Sequence, residues 1–266
     1  MKMLQAAILG LIQGLTEFLP VSSSGHLTLA QTMFGLSEGG QSFAILLHVA
    51  TLVAVFVVFW PEVSDLLRHP FQRTTALLIA GTIPTVIIAL IFGDTVDKLF
   101  AGGRLLGVCF IITGIVLLLA GRIRPGKKKI RNLSIFDALV IGVFQGVAIC
   151  PAISRSGMTL TGALSRGLNR KEAAHFSFLL SILAILGALV LDVAESLKGG
   201  TSAVEAMGVA PTIVGFVVAA VSGYFALRFM LKIVEQGKLR YFSYYVFALG
   251  ALVLIDQNLT HFFFAK

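Results

Sequence analysis

The sequence predicts an all-α polytopic membrane protein in which two similar halves each contribute one broken helical segment and three full transmembrane helices. Three observations support this fold class. Hydrophobic residues make up 57% of the 266 residues and charged residues only 13%, whereas about a quarter of the residues in a soluble globular domain are charged. Apolar runs long enough to cross a bilayer recur along the chain. Two polar motifs interrupt apolar segments at a constant separation.

The two motifs indicate an internal duplication. Residues 10–28 read G-L-I-Q-G-L-T-E-F-L-P-V-S-S-S-G-H-L-T, and residues 142–160, which lie 132 positions later, read G-V-F-Q-G-V-A-I-C-P-A-I-S-R-S-G-M-T-L. At this offset six residues are identical without a gap: Gly10, Gln13, Gly14, Ser22, Ser24 and Gly25 fall on Gly142, Gln145, Gly146, Ser154, Ser156 and Gly157. A match of this kind near the start of each half is typical of a repeated structural unit.

The differences between the two copies are complementary. The first copy carries Glu17, Ser23 and His26, and the second carries Arg155 at the position equivalent to Ser23. One copy would therefore supply a carboxylate, a hydroxyl and an imidazole to a shared site, and the other a guanidinium.

In chain order, residues 3–36 form the first broken segment, because Gly, Pro and Ser interrupt this apolar stretch near its middle. Residues 133–165 form the second for the same reason. The six apolar runs predicted to span the membrane are 43–60, 76–93, 105–121, 174–194, 209–230 and 241–256. Half one therefore covers about 1–121 and half two about 132–260, within a single membrane domain of residues 1–266.

The basic linker between the halves, residues 122–131, sets the predicted orientation. If each broken segment is re-entrant, the three spans of each half place the halves in opposite orientations, as an inverted-topology repeat. Fifteen of the 21 Lys and Arg residues then lie on the linker side, five lie on the opposite side, and Arg155 lies in the second break. Because basic residues collect on the cytoplasmic side, we expect a cytoplasmic, solvated linker and extracytoplasmic termini. The net charge of +8 collects in these short loops and so does not indicate a nucleic-acid partner.

Ionisable side chains at membrane depth identify the candidate site, because they are costly unless paired or hydrated. Glu17 lies one helical turn after Gln13, so both face the same side of the first helix. Pro20 cannot continue a helix, and the chain is therefore expected to turn near residues 19–25. Irregular backbone at this depth requires a polar cavity around it.

The two breaks are predicted to bind phosphate groups. The helices that start near Gly25 and Ser156 would direct their N-termini into the cavity, and helix N-termini favour anions. The hydroxyls of Ser23 and Ser24 lie beside the first of these N-termini. Arg155 adds a planar, charged fork that suits two phosphate oxygens.

The same inventory predicts a divalent metal ion and a nucleophile. Glu17, with Gln13 as a neutral second ligand, would hold Mg²⁺, which prefers a carboxylate together with substrate phosphates and water. Calcium is the alternative ion. Ser23 or His26 would act as nucleophile or base. The residues alone thus indicate a membrane site for a phosphorylated amphiphile.

At these residues the sequence resembles the undecaprenyl-diphosphate phosphatase family of bacteria, the bacitracin-resistance type. Its two signatures appear here as Q-G-L-T-E-F-L-P-V-S-S-S-G-H at 13–26 and P-A-I-S-R-S-G-M-T at 151–159, and the resemblance extends over the full length. It implies that the chain removes the terminal phosphate from a C55 isoprenyl diphosphate and regenerates the monophosphate carrier of cell-wall precursors. It also implies a bacterial inner-membrane location, dependence on a divalent metal and a site that opens extracytoplasmically.

The resemblance also assigns roles to individual residues. Gln13 and Glu17 match the metal and acid-base pair, Ser23 the central hydroxyl and His26 the histidine. The phosphate-binding loop corresponds to Ser154, Arg155, Ser156 and Thr159, with Ser24 and Gly25 contributing from the first break. The choice of nucleophile between Ser23 and His26 stays open, and Ser23 is preferred.

Two positions depart from the family pattern. Gln13 replaces the first glutamate of many members, which weakens a two-carboxylate metal site. Ala152 replaces the usual glycine, so a backbone conformation with positive φ is not expected there.

Structural roles are the alternative for several residues. Glycine in membrane segments usually lets helices approach, and we interpret Gly10, Gly14, Gly142 and Gly146 in this way. Ser22 is interpreted as a helix cap, and His48, which lies in a span without a motif, as a structural hydrogen-bonding residue. Glu17 as a purely structural partner of Arg155 is the main alternative to a catalytic role, because a buried ion pair would satisfy both.

A second function fits the same architecture. Inverted repeats with broken helices that meet near the midplane are typical of secondary transporters. A carrier for a lipid phosphate or another anion would use Arg155 as its anchor and would tolerate Ser23→Ala, whereas a phosphatase should lose turnover with either substitution. The expected partners are a polyprenyl diphosphate and membrane lipids, and a homodimer is an alternative that the sequence leaves open.

Overall fold

The computed structural model describes residues 2–36, 40–100, 103–196 and 208–264. Within these ranges the chain forms eleven α-helices, named here in chain order. They are α1 Met3–Phe18, α2 Ser23–Met33, α3 Gly40–Val58, α4 Trp60–Arg68, α5 Arg73–Phe100, α6 Leu106–Ala120, α7 Ile135–Val147, α8 Arg155–Ser165, α9 Arg170–Ser196, α10 Val209–Glu235 and α11 Arg240–Ile255. A 3₁₀ turn at Ile130–Asn132 and a π turn at Asp256–Thr260 complete the described helical structure.

The helices of the second half follow those of the first at the spacing of the sequence repeat. Each predicted broken segment forms two helices with a non-helical stretch between them, α1 with α2 and α7 with α8. The boundaries Ser23–Met33 and Arg155–Ser165 differ by 132 residues at both ends. The offset that relates the motifs therefore also relates the helices that follow the two breaks.

Four helices in the described ranges are long and apolar enough to cross a membrane, namely α5, α9, α10 and α11. The apolar α3 becomes a fifth when it is counted with α4, although the pair is bent by 87°. The remaining predicted span, α6, has 15 residues and is about 22 Å long at 1.5 Å per residue, less than the roughly 30 Å hydrocarbon core. The chain is thus a multi-pass membrane protein with at least four spans.

The short helix α4 was not predicted from the sequence. It follows α3 after Phe59, and Pro61 occupies its first turn. Because proline has no backbone N–H and its ring clashes with the carbonyl four residues earlier, Pro61 disfavours continuation of α3 and suits the first turn of a new helix. Trp60 and Leu67 on α4 are exposed, as expected for a helix that lies at the membrane surface rather than across it.

The first helix of each broken segment packs along the second span of the opposite half. Helix α1 packs against α10, and α7 packs against α5. A Cβ atom on Gly10 would lie 2.4 Å from the carbonyl oxygen of Gly215, and one on Gly142 would lie 2.1 Å from that of Gly81. Gly14 and Gly146 are similarly close to Ser222 and Ile88. The interpretation of these four motif glycines as packing residues is confirmed.

The basic linker is not a fully solvated loop. The Lys128 backbone N–H donates to the Gly167 carbonyl at 3.0 Å, and its carbonyl accepts from the Asn169 N–H at 3.1 Å. The buried carboxylate of Asp137, in the first turn of α7, accepts from Arg166 at 2.7 Å and from Lys128 at 3.2 Å. The linker side chains are mostly exposed, but these contacts fix its backbone to the turn between α8 and α9.

Candidate active site

The two breaks meet in the interior of the protein. Ser156, in the first turn of α8, donates from Oγ to the carbonyl oxygen of Leu19 in the first break, at 3.2 Å. From the other side, a Cβ atom on Gly25 would lie 2.9 Å from Cα of Ala152. This approach brings residues from both halves, 132 positions apart in sequence, to the walls of one cavity.

Each break contains a non-glycine residue with positive φ, Ser22 at 69° and Ala152 at 64°. The expectation that alanine at 152 would not adopt this conformation is therefore wrong. The surroundings supply the reason, because the left-handed conformation costs only about 1–2 kcal/mol and Ala152 is fully buried and anchored. Its carbonyl accepts from the Thr113 hydroxyl at 2.8 Å, and the Ser154 N–H donates to the same hydroxyl at 3.1 Å.

Equivalent serines cap the helices that leave the two breaks. Ser22 Oγ accepts from the Gly25 N–H at 3.3 Å, and Ser154 Oγ accepts from the Gly157 N–H at 3.1 Å. The predicted cap at Ser22 is confirmed. Because the hydroxyl of Ser154 already serves as a cap, it can offer a phosphate group only its remaining hydrogen-bonding capacity.

Glu17, at the end of α1, is the centre of the site. Its side chain is only 1% exposed, and both oxygens are occupied. Oε1 accepts from the Arg155 guanidinium in an ion pair that joins the two halves. Oε2 accepts from Ser23 Oγ at 2.6 Å and from Gln13 Nε2 at 2.8 Å. The structure thus brings together four of the residues that the motifs identify.

His48 on α3 is a member of this cluster that the motifs did not identify. Its Nδ1 lies 2.7 Å from the Ala44 carbonyl, the structural contact that was expected. Its Nε2, however, lies 3.4 Å from Glu17 Oε2. The only sequence signal was an ionisable residue within an apolar span, which is weak evidence without a surrounding motif.

His26 on α2 does not join the cluster. Its Nδ1 lies 2.7 Å from the Ser22 carbonyl, and its Nε2 lies 2.7 Å from the Tyr245 hydroxyl. The ring stacks on Tyr245 with 10° between the planes. The described residues that line the cavity do not include His26. Its role as nucleophile or base stays a prediction.

The remaining predicted phosphate-binding residues divide into two groups. Ser24 and Ser154 line the cavity. Ser156, Thr159 and Gly25 are buried and are not among its described lining residues. The Thr159 hydroxyl contacts the Ser177 hydroxyl and donates to the Arg155 carbonyl at 3.0 Å. Thr159 is therefore placed to support the first turn of α8 rather than to contact a ligand in the cavity.

The cavity has a volume of about 740 Å³ and combines a polar end with an apolar passage. The polar end is lined by Glu17, Ser22, Ser23, Ser24, His48, Gln145, Ser154 and Arg155. The passage runs between the middle of α5 and the C-terminal half of α9, lined by residues such as Val86, Leu90, Val190 and Leu191. Leu90, Val190 and Leu191 are 76%, 66% and 64% exposed, so the passage is open at the lipid-facing surface. This shape suits a molecule with a charged head and a long apolar tail.

The chain alone offers a weak metal site. Within the described ranges no three His, Cys, Asp or Glu side chains are grouped so that they could hold an ion. Gln13 Oε1, however, is buried without a described hydrogen-bond partner, while Nε2 of the same amide donates to Glu17 Oε2, and Gln13 is not among the described lining residues of the cavity. One carboxylate and one amide oxygen fit Mg²⁺ when phosphate oxygens and water complete its shell. The residues therefore fit a metal ion that arrives together with a phosphorylated substrate.

Comparison with known proteins identifies the relatives of this chain. The model of a family described as bacitracin resistance protein BacA matches residues 6–252. The chain is 52% identical to the undecaprenyl-diphosphatase of Carboxydothermus hydrogenoformans, over 97% of this chain and 98% of that protein. It is 44% identical to undecaprenyl-diphosphatase 4 of Bacillus thuringiensis, over 99% and 100% of the two chains, and 37% identical to undecaprenyl-diphosphatase of Halothermothrix orenii, over 96% and 98%.

Proposed function

The chain belongs to the bacitracin resistance protein BacA family, and we propose that it hydrolyses undecaprenyl diphosphate to undecaprenyl phosphate and phosphate at the site around Glu17. It is an integral membrane phosphatase of bacteria that recycles the lipid carrier of cell-wall synthesis and so confers resistance to bacitracin. One observation supports this assignment most strongly. A serine hydroxyl, a carboxylate and a guanidinium from two separate breaks converge at the polar end of a cavity whose other end is apolar and open to lipid.

We propose Ser23 as the nucleophile. Its Oγ lines the cavity and donates to Glu17 Oε2 at 2.6 Å, so the carboxylate can accept the hydroxyl proton as the oxygen attacks. Attack on the terminal phosphorus breaks its bond to the bridging oxygen, which leaves with undecaprenyl phosphate. Water then attacks the phosphoserine, releases inorganic phosphate and restores the hydroxyl. His26, the alternative nucleophile, has both ring nitrogens bonded outside the cavity lining.

Arg155 is proposed to hold the phosphate groups. Its two terminal nitrogens now donate to Glu17 and, at 3.3 Å, to the Ser181 carbonyl. A diphosphate in the cavity would offer the guanidinium two phosphate oxygens that carry more negative charge than the Ser181 carbonyl. Charge that develops on the transferred phosphoryl group would strengthen the contact. Ser24 and Ser154 line the same end of the cavity and would add hydroxyl contacts.

Gln13 and Glu17 are proposed to hold Mg²⁺, with Ca²⁺ as the alternative. When bound, the ion would neutralise charge on the diphosphate and favour departure of the monophosphate. Glu17 and Gln13 would hold the ion through side-chain oxygens, and Arg155 would contact the phosphate oxygens. The buried, unpartnered Oε1 of Gln13 supports this assignment.

We further propose the full architecture of six spans and two re-entrant pairs in an inverted-topology repeat. The exchanged packing of α1 with α10 and of α7 with α5 supports it, because a two-fold axis between the halves requires such reciprocal pairs. The cavity passage is lined by the middle of α5 and the C-terminal half of α9, whereas the basic linker contacts the turn before the N-terminus of α9. With a cytoplasmic linker, the site would open extracytoplasmically, on the side of both termini.

Transport of a lipid phosphate through the same site is the second candidate function, favoured by broken helices that meet in the protein interior. A phosphate-release assay separates the two. The purified protein in detergent is given undecaprenyl diphosphate with Mg²⁺ or with a chelator, and Ser23→Ala is compared with Ser64→Ala, which removes an exposed hydroxyl on α4.

We expect metal-dependent release by the wild type and the Ser64 variant, and a loss of at least about a thousandfold in Ser23→Ala, because the nucleophile is removed. Absence of release from folded wild-type protein would exclude the phosphatase and direct the work to transport in liposomes. Full release by Ser23→Ala would exclude Ser23 as the nucleophile.

A further inference from the structure

Side chains at equivalent positions of the repeat hydrogen-bond to the two breaks from outside the described lining of the cavity. Thr113 on α6 and Tyr245 on α11 are 132 residues apart, the offset that relates the two motifs. Helices α6 and α11 pack against each other. Each side chain hydrogen-bonds toward the break of the other half, Thr113 toward the second break and Tyr245 toward the first.

The contact to the second break is direct. The buried Thr113 hydroxyl donates to the Ala152 carbonyl at 2.8 Å and accepts from the Ser154 N–H at 3.1 Å. It therefore bridges the residue with positive φ and the residue that caps α8. Arg155, which pairs with Glu17, is the next residue along the chain. A shift of this bridge would move the guanidinium.

The contact to the first break passes through His26. A carbonyl oxygen can only accept, so His26 Nδ1, at 2.7 Å from the Ser22 carbonyl, carries the hydrogen. In the neutral ring, Nε2 then accepts from the Tyr245 hydroxyl at 2.7 Å. Ser22 is the residue with positive φ in this break, and Ser23 follows it. The stacked Tyr245 ring and the edge of Phe110, with centroids 5.7 Å and 5.4 Å from that of His26, fix the imidazole plane.

Each break is therefore held by a hydroxyl from the third span of the opposite half. The contact reaches a residue with positive φ, which relaxes unless its surroundings hold it: Thr113 bonds Ala152 directly, and Tyr245 reaches Ser22 through His26. Ser22 is itself the helix cap, whereas Ala152 lies two residues before its cap. In each break the residue that follows the cap, Ser23 or Arg155, contacts Glu17. The two hydroxyls thus help to fix the positions of Ser23 and Arg155. The distance between these two side chains decides whether one phosphoryl group can contact both.

We propose that Thr113 and Tyr245 are positioning residues of the phosphatase, Tyr245 through His26, and that His26 orients the first break instead of transferring a proton or attacking phosphorus. The proposal rests on the proposed function, since it assigns residues behind the same site.

The first test compares two substitutions of His26. Asparagine places its amide N–H near the position of Nδ1 and can keep the bond to the Ser22 carbonyl, whereas alanine cannot. We expect His26→Ala to lower the phosphate-release rate about ten- to a hundredfold, as loss of one buried hydrogen bond does, and His26→Asn to restore most of it. Equal losses in both variants would overturn the positioning role, because neither side chain can transfer a proton or form a phosphohistidine.

The second test is a double-substitution cycle. Tyr245→Phe removes only the hydroxyl, and Tyr244→Phe makes the same change at a neighbouring residue that is 58% exposed. We expect Tyr245→Phe to lower the rate several-fold, Tyr244→Phe to leave it unchanged, and Tyr245→Phe to have no further effect in the His26→Ala background. Multiplying effects would show that Tyr245 does not act through His26 and would overturn the proposal for the first break.

At the second break, Thr113→Val removes the hydroxyl at nearly constant shape and Thr113→Ser keeps it. We expect a loss of about tenfold or more with valine, and near wild-type turnover with serine, at melting temperatures that show both variants are folded. Equal turnover in folded valine and serine variants would overturn the role of Thr113. The wild type is measured first under the same conditions. Absence of release there would contradict the phosphatase itself, whereas active wild type with unaffected variants would contradict only the positioning role.

Discussion

Glu17 shows how a carboxylate can be kept at membrane depth. A buried charge of this kind is costly without partners, and here Arg155, Ser23, Gln13 and His48 surround it. Three of these four partners could be predicted, because they belong to motifs at a fixed repeat offset. The fourth could not, since a single histidine in an apolar helix carries no information about the direction of its side chain.

The placement of His26 was equally beyond the sequence. His26 is not among the described residues that line the cavity, and it meets Tyr245, 219 positions later. Only the tertiary fold brings Tyr245 to His26, and the sequence does not record this contact. The first motif identified His26 as a candidate, but it could not show whether the side chain lines the cavity or lies outside its lining.

Ala152 provides a prediction at the residue scale. Its φ of 64° suits glycine, tolerates alanine and strongly disfavours a β-branched side chain. We expect Ala152→Gly to change the free energy of unfolding by no more than about 1 kcal/mol, because relief of strain offsets the lost methyl contact and the added chain entropy. We expect Ala152→Val to lower it by more than about 2 kcal/mol.

Thermal unfolding in detergent, together with phosphate release, measures both Ala152 variants. A valine variant as stable and active as the glycine variant would mean that residue 152 does not have positive φ in the working protein.

At the scale of elements, close helix pairs build the scaffold that carries the breaks. The order of helices and the two broken segments could be predicted from apolar runs and from the positions of Gly, Pro and Ser. The turn into α4 and the shortness of α6 could not. Hydropathy records how apolar a run is, whereas Pro61 disfavours continuation of α3 through a local steric effect and Gly121 follows the end of α6.

The contact of α7 with α5 gives a prediction at this scale. A methyl group on Gly142 would lie 2.1 Å from the Gly81 carbonyl oxygen, so Gly142→Ala must push the helices apart. We expect a loss of about 1–3 kcal/mol of stability, the usual cost of overpacking, seen as a lower melting temperature. Gly187→Ala is the control, because a methyl group there meets open space. Equal melting temperatures for the two variants would contradict the close packing.

At the scale of the whole molecule, the lipid passage between α5 and α9 was not predictable. Every span presents apolar residues to lipid, so composition cannot show which two helices separate. The membrane class, the duplication and the convergence of the two breaks could be predicted, since they follow from apolar content and from one constant offset. The passage instead depends on the angle at which α5 and α9 separate beyond the point where they pack together.

Filling the passage tests its role. Gly187 lines it on α9 and has open space around it, and Gly93 on α5 has open space but is not among the described lining residues. We expect Gly187→Leu to raise KM for undecaprenyl diphosphate about tenfold, equivalent to about 1.4 kcal/mol of lost tail contact, and to affect a short-chain isoprenyl diphosphate less.

Gly93→Leu, which makes the same change of size and helix propensity, should leave both KM values near those of the wild type. An unchanged KM for the long substrate in Gly187→Leu would place the tail elsewhere.

The central claim is that the two halves complete one catalytic site through Glu17 and Arg155. It is tested most directly by the phosphate-release rates of Glu17→Gln, Arg155→Met and the double variant, with Arg104→Met, a substitution of an exposed residue, as control. We expect each single variant to lose about a hundred- to a thousandfold or more, the double variant to lose little beyond the worse single, and the control to keep its rate. Near wild-type release by Arg155→Met, or losses that multiply in the double variant, would contradict a single site shared by both halves.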